Sequence, residues 1–240
     1  MENALSEDGK IEMVGGDIIA ITDLLGELLS VHQKSDRETD FDENKYLTNN
    51  VLITTNQLLG SSLGWEEIVE NKTRYESSSN LLTVTDSAGF LLFHKSDLTN
   101  MGGYNFTQPE LKMISNLWPA NTERPDNSYC YKFEISEICI PKEIFDDSID
   151  DDVIEVSVEY DLGIDSHLFP SYINSSFNRK IYRQKLNENT LMENTSLRSN
   201  LIGLAINNGT NQLNIPPENP VVITFQHNVT EVRLAPIFQC

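Results

Sequence analysis

Between residues 101 and 127 the spacing of apolar residues changes from three-and-four to two, and no single element type satisfies both periods. Before that point the chain reads as helix. Ile18, Ile21, Leu25, Leu28 and His32 fall on one face of a segment spanning 17–33, and Asp17, just after Gly15 and Gly16, can cap it by accepting a backbone N–H. The polar, acidic stretch 34–44 breaks the pattern. Thr48 or Asn49 is expected to cap a second helix carrying Val51, Leu58, Leu59 and Leu63 and ending near Gly64. A third is expected over 76–93, with Leu81, Val84, Ala88, Leu91 and Leu92 as its stripe. Such stripes need a partner to bury against, and they read as core rather than as binding surface.

The stretch 101–127 is rich in Gly, Asn and Pro, including Trp118-Pro119 and Arg124-Pro125, and marks the expected boundary. Beyond it Tyr131, Phe133 and Ile135 alternate with Lys132, Glu134 and Ser136, and the phase slips at Glu137 and Ile138, as at a bulge or strand end. Ile154, Val156, Val158 and Tyr160 alternate with Glu155, Ser157 and Glu159, the cleanest amphipathic strand in the chain. Further strands are expected at 180–185, 201–206, 221–226 and 231–234, with Pro216, Pro217 and Pro220 in a turn between two of them. Helices followed by strands imply an α+β fold: a helical subdomain at 1–120, then a β-rich, β-sandwich-like subdomain at 121–240.

A formal net charge of −20 argues against nucleic acid as a partner, because binding phosphates needs a basic patch. The densest acidic run, Asp146 to Asp152, lacks the alternating spacing and turn glycine of a calcium loop and reads as a solvated loop. No run of about 18 apolar residues spans a membrane. The first residues carry neither a basic nor an apolar signal region, so an extracellular location implies a piece of a longer precursor.

Six asparagines fit the Asn-x-Ser/Thr acceptor pattern: Asn71, Asn105, Asn174, Asn194, Asn208 and Asn228. Asn174, Asn194 and Asn208 fall in polar, loop-like stretches where a glycan would be solvated. The three cysteines, Cys130, Cys139 and Cys240, are the disulfide candidates, and their odd number leaves at least one without an internal partner. Cys130 and Cys139 flank a strand-like segment whose ends, if straight, lie about 30 Å apart. A disulfide tolerates less than about 7 Å between Cα atoms, so these two pair only if the segment folds back. No Cys-x-x-Cys or His/Cys cluster has zinc spacing, so no metal site is expected, and no cofactor motif is present. His32, His94, His167 and His227 are scattered, and no nucleophile–base pair is apparent, so an enzyme is not expected.

Three segments carry a family resemblance. Val156-Ser-Val-Glu-Tyr160 is followed by Leu162-Gly163 and Leu168-Phe169-Pro170; Ser199-Asn-Leu-Ile-Gly-Leu-Ala-Ile206 comes next; then Pro220-Val-Val-Ile-Thr-Phe-Gln-His227. In this order and spacing they resemble the GAIN domain of adhesion G-protein-coupled receptors, of latrophilin type. The resemblance places Cys240 at the first cysteine of that family's proteolysis site and implies the extracellular face of the plasma membrane. It also implies two partners within the same receptor, a tethered-agonist strand and a seven-helix membrane domain, beside an unknown extracellular ligand. The family's His-Leu-Ser/Thr cleavage tripeptide is not among these residues, and His227 is not its histidine, so no catalytic residue is assigned. A sheet edge is expected to stand open where the last strand would lie. A freestanding secreted binding domain, or a polycystin-like protein sharing the same domain, is the alternative.

Overall fold

The computed structural model describes residues 13–35, 39–94, 103–120, 128–134, 136–146, 151–161, 168, 200–207 and 220–225. Helix α1 (Gly15–Lys34) starts without a local side-chain cap. Its first N–H, on Gly15, donates instead to Glu67 Oε2 at 2.9 Å, from α3 (Ser62–Glu67). Asp17 therefore sits in the first turn, where its charge suits the helix dipole, and does not cap it. The buried face is also rotated from the expected one. Leu28 is exposed, while Ile18, Thr22 and Leu29 are buried. Thr22 can lie inside because its hydroxyl donates to the Ile18 carbonyl at 2.8 Å.

Helix α2 (Phe41–Leu59) begins inside the acidic stretch that reads as a break. Asp40 is its cap, accepting the Glu43 N–H at 2.7 Å. Thr48, expected at the start, lies mid-helix and donates to the Ala88 carbonyl at 3.0 Å. Asn44, wholly buried, donates to the His94 carbonyl at 2.9 Å. The early turns of α2 are thus buried through polar bonds, which leave no apolar period to read. Leu63, assigned to this helix by its spacing, is exposed in α3, where Trp65 is buried and its indole N–H donates to the Leu58 carbonyl at 2.8 Å. Helix α4 (Asn71–Leu91) buries Leu81, Val84, Ala88 and Leu91 as expected, and Leu92 just beyond it.

The Gly- and Pro-rich stretch carries two strands, β1 (Tyr104–Thr107) and β2 (Leu111–Trp118). They join β5 (Val153–Tyr160) and β6 (Leu201–Asn207) in an antiparallel sheet of order β1-β2-β5-β6. A division at residue 120 would cut between β2 and β5, which share a ladder running from Leu111↔Tyr160 to Trp118↔Val153. The second sheet has order β3-β4-β7, from β3 (Tyr129–Lys132), β4 (Ser136–Ile140) and β7 (Val222–Phe225). A short helix, α5 (Glu143–Asp146), links β4 towards β5. The segment read as one strand from Tyr131 to Ile138 is a hairpin, closed by a Phe133 N–H to Ser136 carbonyl bond of 2.8 Å. The strands expected at 180–185 and 231–234, and the Pro216-Pro217 turn, lie outside the described residues.

The fold is α+β in three layers. Leu111, Met113, Val156, Val158 and Tyr160 face the helices and share a core with Leu52, Leu81 and Leu91. Alpha-helix and sheet approach closely at Gly89, where an added Cβ would meet Val156 Cγ1 at 2.6 Å. Ser115, on β2, donates to the Gly89 carbonyl at 3.1 Å across the same contact. The opposite face of the sheet packs on the smaller sheet through Trp118, Val153 and Ile206 against Tyr131, Ile138, Ile140 and Phe145.

Candidate functional site: a buried polar layer between the sheets

Strand β5 is buried on both faces, not on one as its alternation suggests. Glu155, Ser157 and Glu159 all face the small sheet, and all three are at most 1% exposed. Two carboxylates in so dry a space need partners, because an uncompensated buried charge is costly.

The two have different surroundings. Glu159 accepts from the Ser136 hydroxyl at 2.5 Å and lies 3.5 Å from the Lys112 ammonium. Lys112 also donates to Glu134 at 2.8 Å, so one cation ties β2, β5 and the turn between β3 and β4 together. Burial draws the Lys112 ammonium down, but the hydrogen bond and charge of Glu134, together with Glu159, outweigh it and the net shift is upward. The exposed Glu134 carboxyl is held below its ordinary value by the same bond and charge.

Among the described residues no such cation reaches Glu155. Tyr131 donates its hydroxyl to Oε2, Ser157 donates to Oε1 at 3.1 Å, and the Asn116 amide donates to the Tyr131 oxygen at 2.7 Å. The Trp118 indole N–H lies close enough to favour the ionised carboxyl, though short of a well-formed hydrogen bond. Burial dominates these dipoles and pushes Glu155 up to about 7. Burial, then the charge and hydrogen bond of Glu155, raises Tyr131 well above the usual phenol range, which keeps it a neutral donor. A third perturbed carboxyl, Asp86 on α4, is raised to about 6 by burial on the helix side.

Cys130 and Cys139 stand opposite each other in the hairpin register and form a disulfide, with Cα atoms 4.0 Å apart. The fold-back condition set by their spacing is met. Their sulfurs and the Glu137 carboxylate lie within 4.8 Å of one another, but joined sulfurs offer no thiolate to a metal. Asn71 is exposed at the first position of α4, and Asn105 is exposed on the edge strand β1. Asn174, Asn194, Asn208, Asn228 and Cys240, like His167 and His227, lie outside the described residues. His32 approaches the Asn44 side-chain oxygen at 3.2 Å, and Asn44 in turn bonds the His94 carbonyl, so the two histidines are joined through a buried amide. A groove of about 350 Å³ between α1 and α4 is lined by Asp23, Glu27, Asn80, Thr83 and Ser87 among others. No His, Cys, Lys or Arg is among its described lining residues, so it offers a hydroxyl no base but a carboxylate.

Sequence reasoning missed the buried layer. Alternation assigned its glutamates to a polar face, and only the apolar face of the neighbouring strand β6, at Ile202, Leu204 and Ile206, which must itself be covered, signals a second sheet above them. No protein-family model matches the chain, and no curated protein matches it. What the fold defines is an α+β protein whose central antiparallel sheet is covered by helices on one face and by a smaller sheet on the other. Among the described residues no helix is long and apolar enough to cross a membrane.

Proposed function

We propose that this chain is the extracellular GAIN region of an adhesion G-protein-coupled receptor, which in the intact protein supports self-cleavage and holds the tethered agonist for transmembrane signalling. One observation carries this reading: Val156–Tyr160, Leu201–Ile206 and Val222–Phe225, taken from the three segments of the resemblance, lie in β5, β6 and β7, in that order, downstream of a helical layer. Two further features suit an extracellular setting. The Cys130–Cys139 disulfide needs an oxidising compartment, and the acceptors Asn71 and Asn105 are exposed. Among the described residues strand β7 is an edge whose Val222, Ile223 and Phe225 are exposed, which suits a sheet that takes a further strand. The role is mechanical and structural, with the chemistry supplied by a cleavage motif outside these residues.

The test is to read the coding frame past the codon for Cys240 and express the extended protein in secretory cells. The proposal expects cysteines and tryptophans, a His-Leu-Ser/Thr tripeptide and then seven apolar spans, with two fragments that stay associated. A frame that stops or continues without that tripeptide and those spans removes the receptor reading. A freestanding secreted domain then remains if the acceptor asparagines carry glycans.

A further inference from the structure

The Cys130–Cys139 disulfide lies on the face of the small sheet turned away from Glu155. Tyr131 and Ile138, beside the two cysteines in sequence, are buried against the large sheet, so alternation sends Cys130 and Cys139 outward. Cys130 is exposed and Cys139 half-buried. The bond runs across the strands, because the two residues stand directly opposite each other in the β3–β4 ladder. Its ends have different neighbours. Val222 of β7 stands beside Cys139 in the next ladder, while among the described residues β3 is the edge of the sheet.

In thiol–disulfide exchange a thiolate attacks one sulfur in line with the bond, and the other sulfur leaves. Prolonged past Cys139, that line passes over β7. Prolonged past Cys130, it leaves the sheet over an edge strand, at the more exposed of the two cysteines. Cys130 is therefore the sulfur open to attack, and Cys139 is the leaving group. Glu137 sets the charge at this point. It precedes Cys139 by two residues on the same face, and its carboxylate and both sulfurs lie within 4.8 Å of one another. Negative charge on the attacking and departing sulfurs thus develops beside a carboxylate. Lys132 stands opposite Glu137 in the ladder, but it is exposed on the edge strand, where solvent screens its charge.

We propose that this disulfide is a modification site, opened at Cys130 by neutral or cationic thiols, with Glu137 turning anionic thiols away. The incoming thiolate bonds to Cys130 Sγ, and the electron pair of the S–S bond leaves on Cys139 Sγ. A second thiolate attacks the incoming sulfur and releases Cys130, with the reagent departing as its own disulfide. Two reagent thiols are oxidised to one disulfide, the protein disulfide is reduced to two thiols, and each protein sulfur takes up one proton that a reagent thiol gave up. The hairpin outlasts its cross-link, since its ladder, the Tyr129–Trp118 ring contact at 5.1 Å and the Tyr131–Glu155 bond remain. The two thiols stay opposed, so the reverse exchange closes the bond again. The site rests on the hairpin alone and stands whether or not the chain belongs to a receptor.

The native protein, any free Cys240 thiol alkylated beforehand, is treated with cysteamine or with mercaptoethanesulfonate at about pH 8, where part of each thiol is ionised. Samples quenched by alkylation at short times are mapped by mass spectrometry. The reagent should sit on Cys130 and the alkyl group on Cys139. An adduct on Cys139, an even division between the two, or no reaction without denaturant overturns the proposal. Mercaptoethanesulfonate should react about threefold to tenfold faster with Glu137→Gln than with the native protein, and cysteamine should gain less. Comparing the two reagents as a ratio cancels their intrinsic reactivities, and a ratio unchanged by the substitution also overturns the proposal. If Glu137→Gln does not fold, Glu137→Ser is the second variant, and the mapping of the native protein needs neither.

Discussion

On the helix side of β5, Val156, Val158 and Tyr160 pack into an apolar core with the stripes of α4 and α2, and the backbone of Gly89 lies directly against Val156. On the other side Glu155, Ser157 and Glu159 are buried just as deeply, against hydroxyls, an amide and one ammonium. The first face is stabilised by area removed from water, which is non-directional and tolerant of small shifts. The second depends on each donor finding its acceptor, and a single lost partner leaves a polar group stranded. Equal burial therefore conceals unequal robustness. The helix face should respond to lost volume and ignore pH, apart from Asp86, whereas the sheet face should respond to lost partners and to protons.

The comparison is most directly challenged by truncating the helix face. Met113, wholly buried, should cost about 2–5 kcal/mol as Met113→Ala in denaturant unfolding, nearly independent of pH. A large pH dependence in that loss would blur the distinction between the faces. The double change Cys130→Ser with Cys139→Ser opens a short loop, and a loss of roughly 2–3 kcal/mol is expected. That loss should be concentrated at the hairpin in hydrogen exchange, with α4 protection little altered.

Smaller changes probe charge. Lys112→Met leaves Glu159 buried without its cation, and roughly 1–3 kcal/mol should be lost near neutral pH, less in acid where the Glu134 carboxyl that Lys112 holds low takes its proton. Thermal melting at two pH values reads this, and an equal loss at both would mean the ion pair contributes only packing. Asp86→Asn should give the smallest effect and the opposite sign. The Asp86 carboxyl is raised from 3.8 to about 6, so what it contributes is present below about pH 3.8 and gone above about 6. The amide should therefore melt higher than the native protein at pH 8 and equally at pH 3. No gain at pH 8 would show that burial is not what perturbs Asp86.

Legibility followed the same division. The stripe of α4 was readable because Leu81, Val84, Ala88 and Leu91 recur at helical spacing and are all buried. The strands at 153–160, 201–207 and 222–225 were readable from β-branched and apolar runs. The start of α2 was not, since Asn44 and Thr48 are buried by hydrogen bonds to α4 and the turn after it. Strands β1 and β2 hid in a stretch whose glycines and prolines read as a break, although Leu111, Met113 and Leu117 alternate within it. The hairpin hid because Tyr131, Phe133 and Ile135 alternate in sequence straight across its turn, and only the phase slip at Glu137 and Ile138 marks the second strand.

By itself the sequence determined that helices precede sheet, which strand is the most regular, and that Cys130 and Cys139 could meet only across a fold-back. Each of these follows from spacing along the chain, which the backbone converts into faces without help from distant residues. Tertiary structure alone decided that Glu155 and Glu159 lie inside, that Lys112 attends one of them and not the other, and that Glu67 caps α1 from another helix. Those outcomes depend on which surfaces are covered by elements far away in sequence, and local alternation carries no record of a second sheet laid over the first.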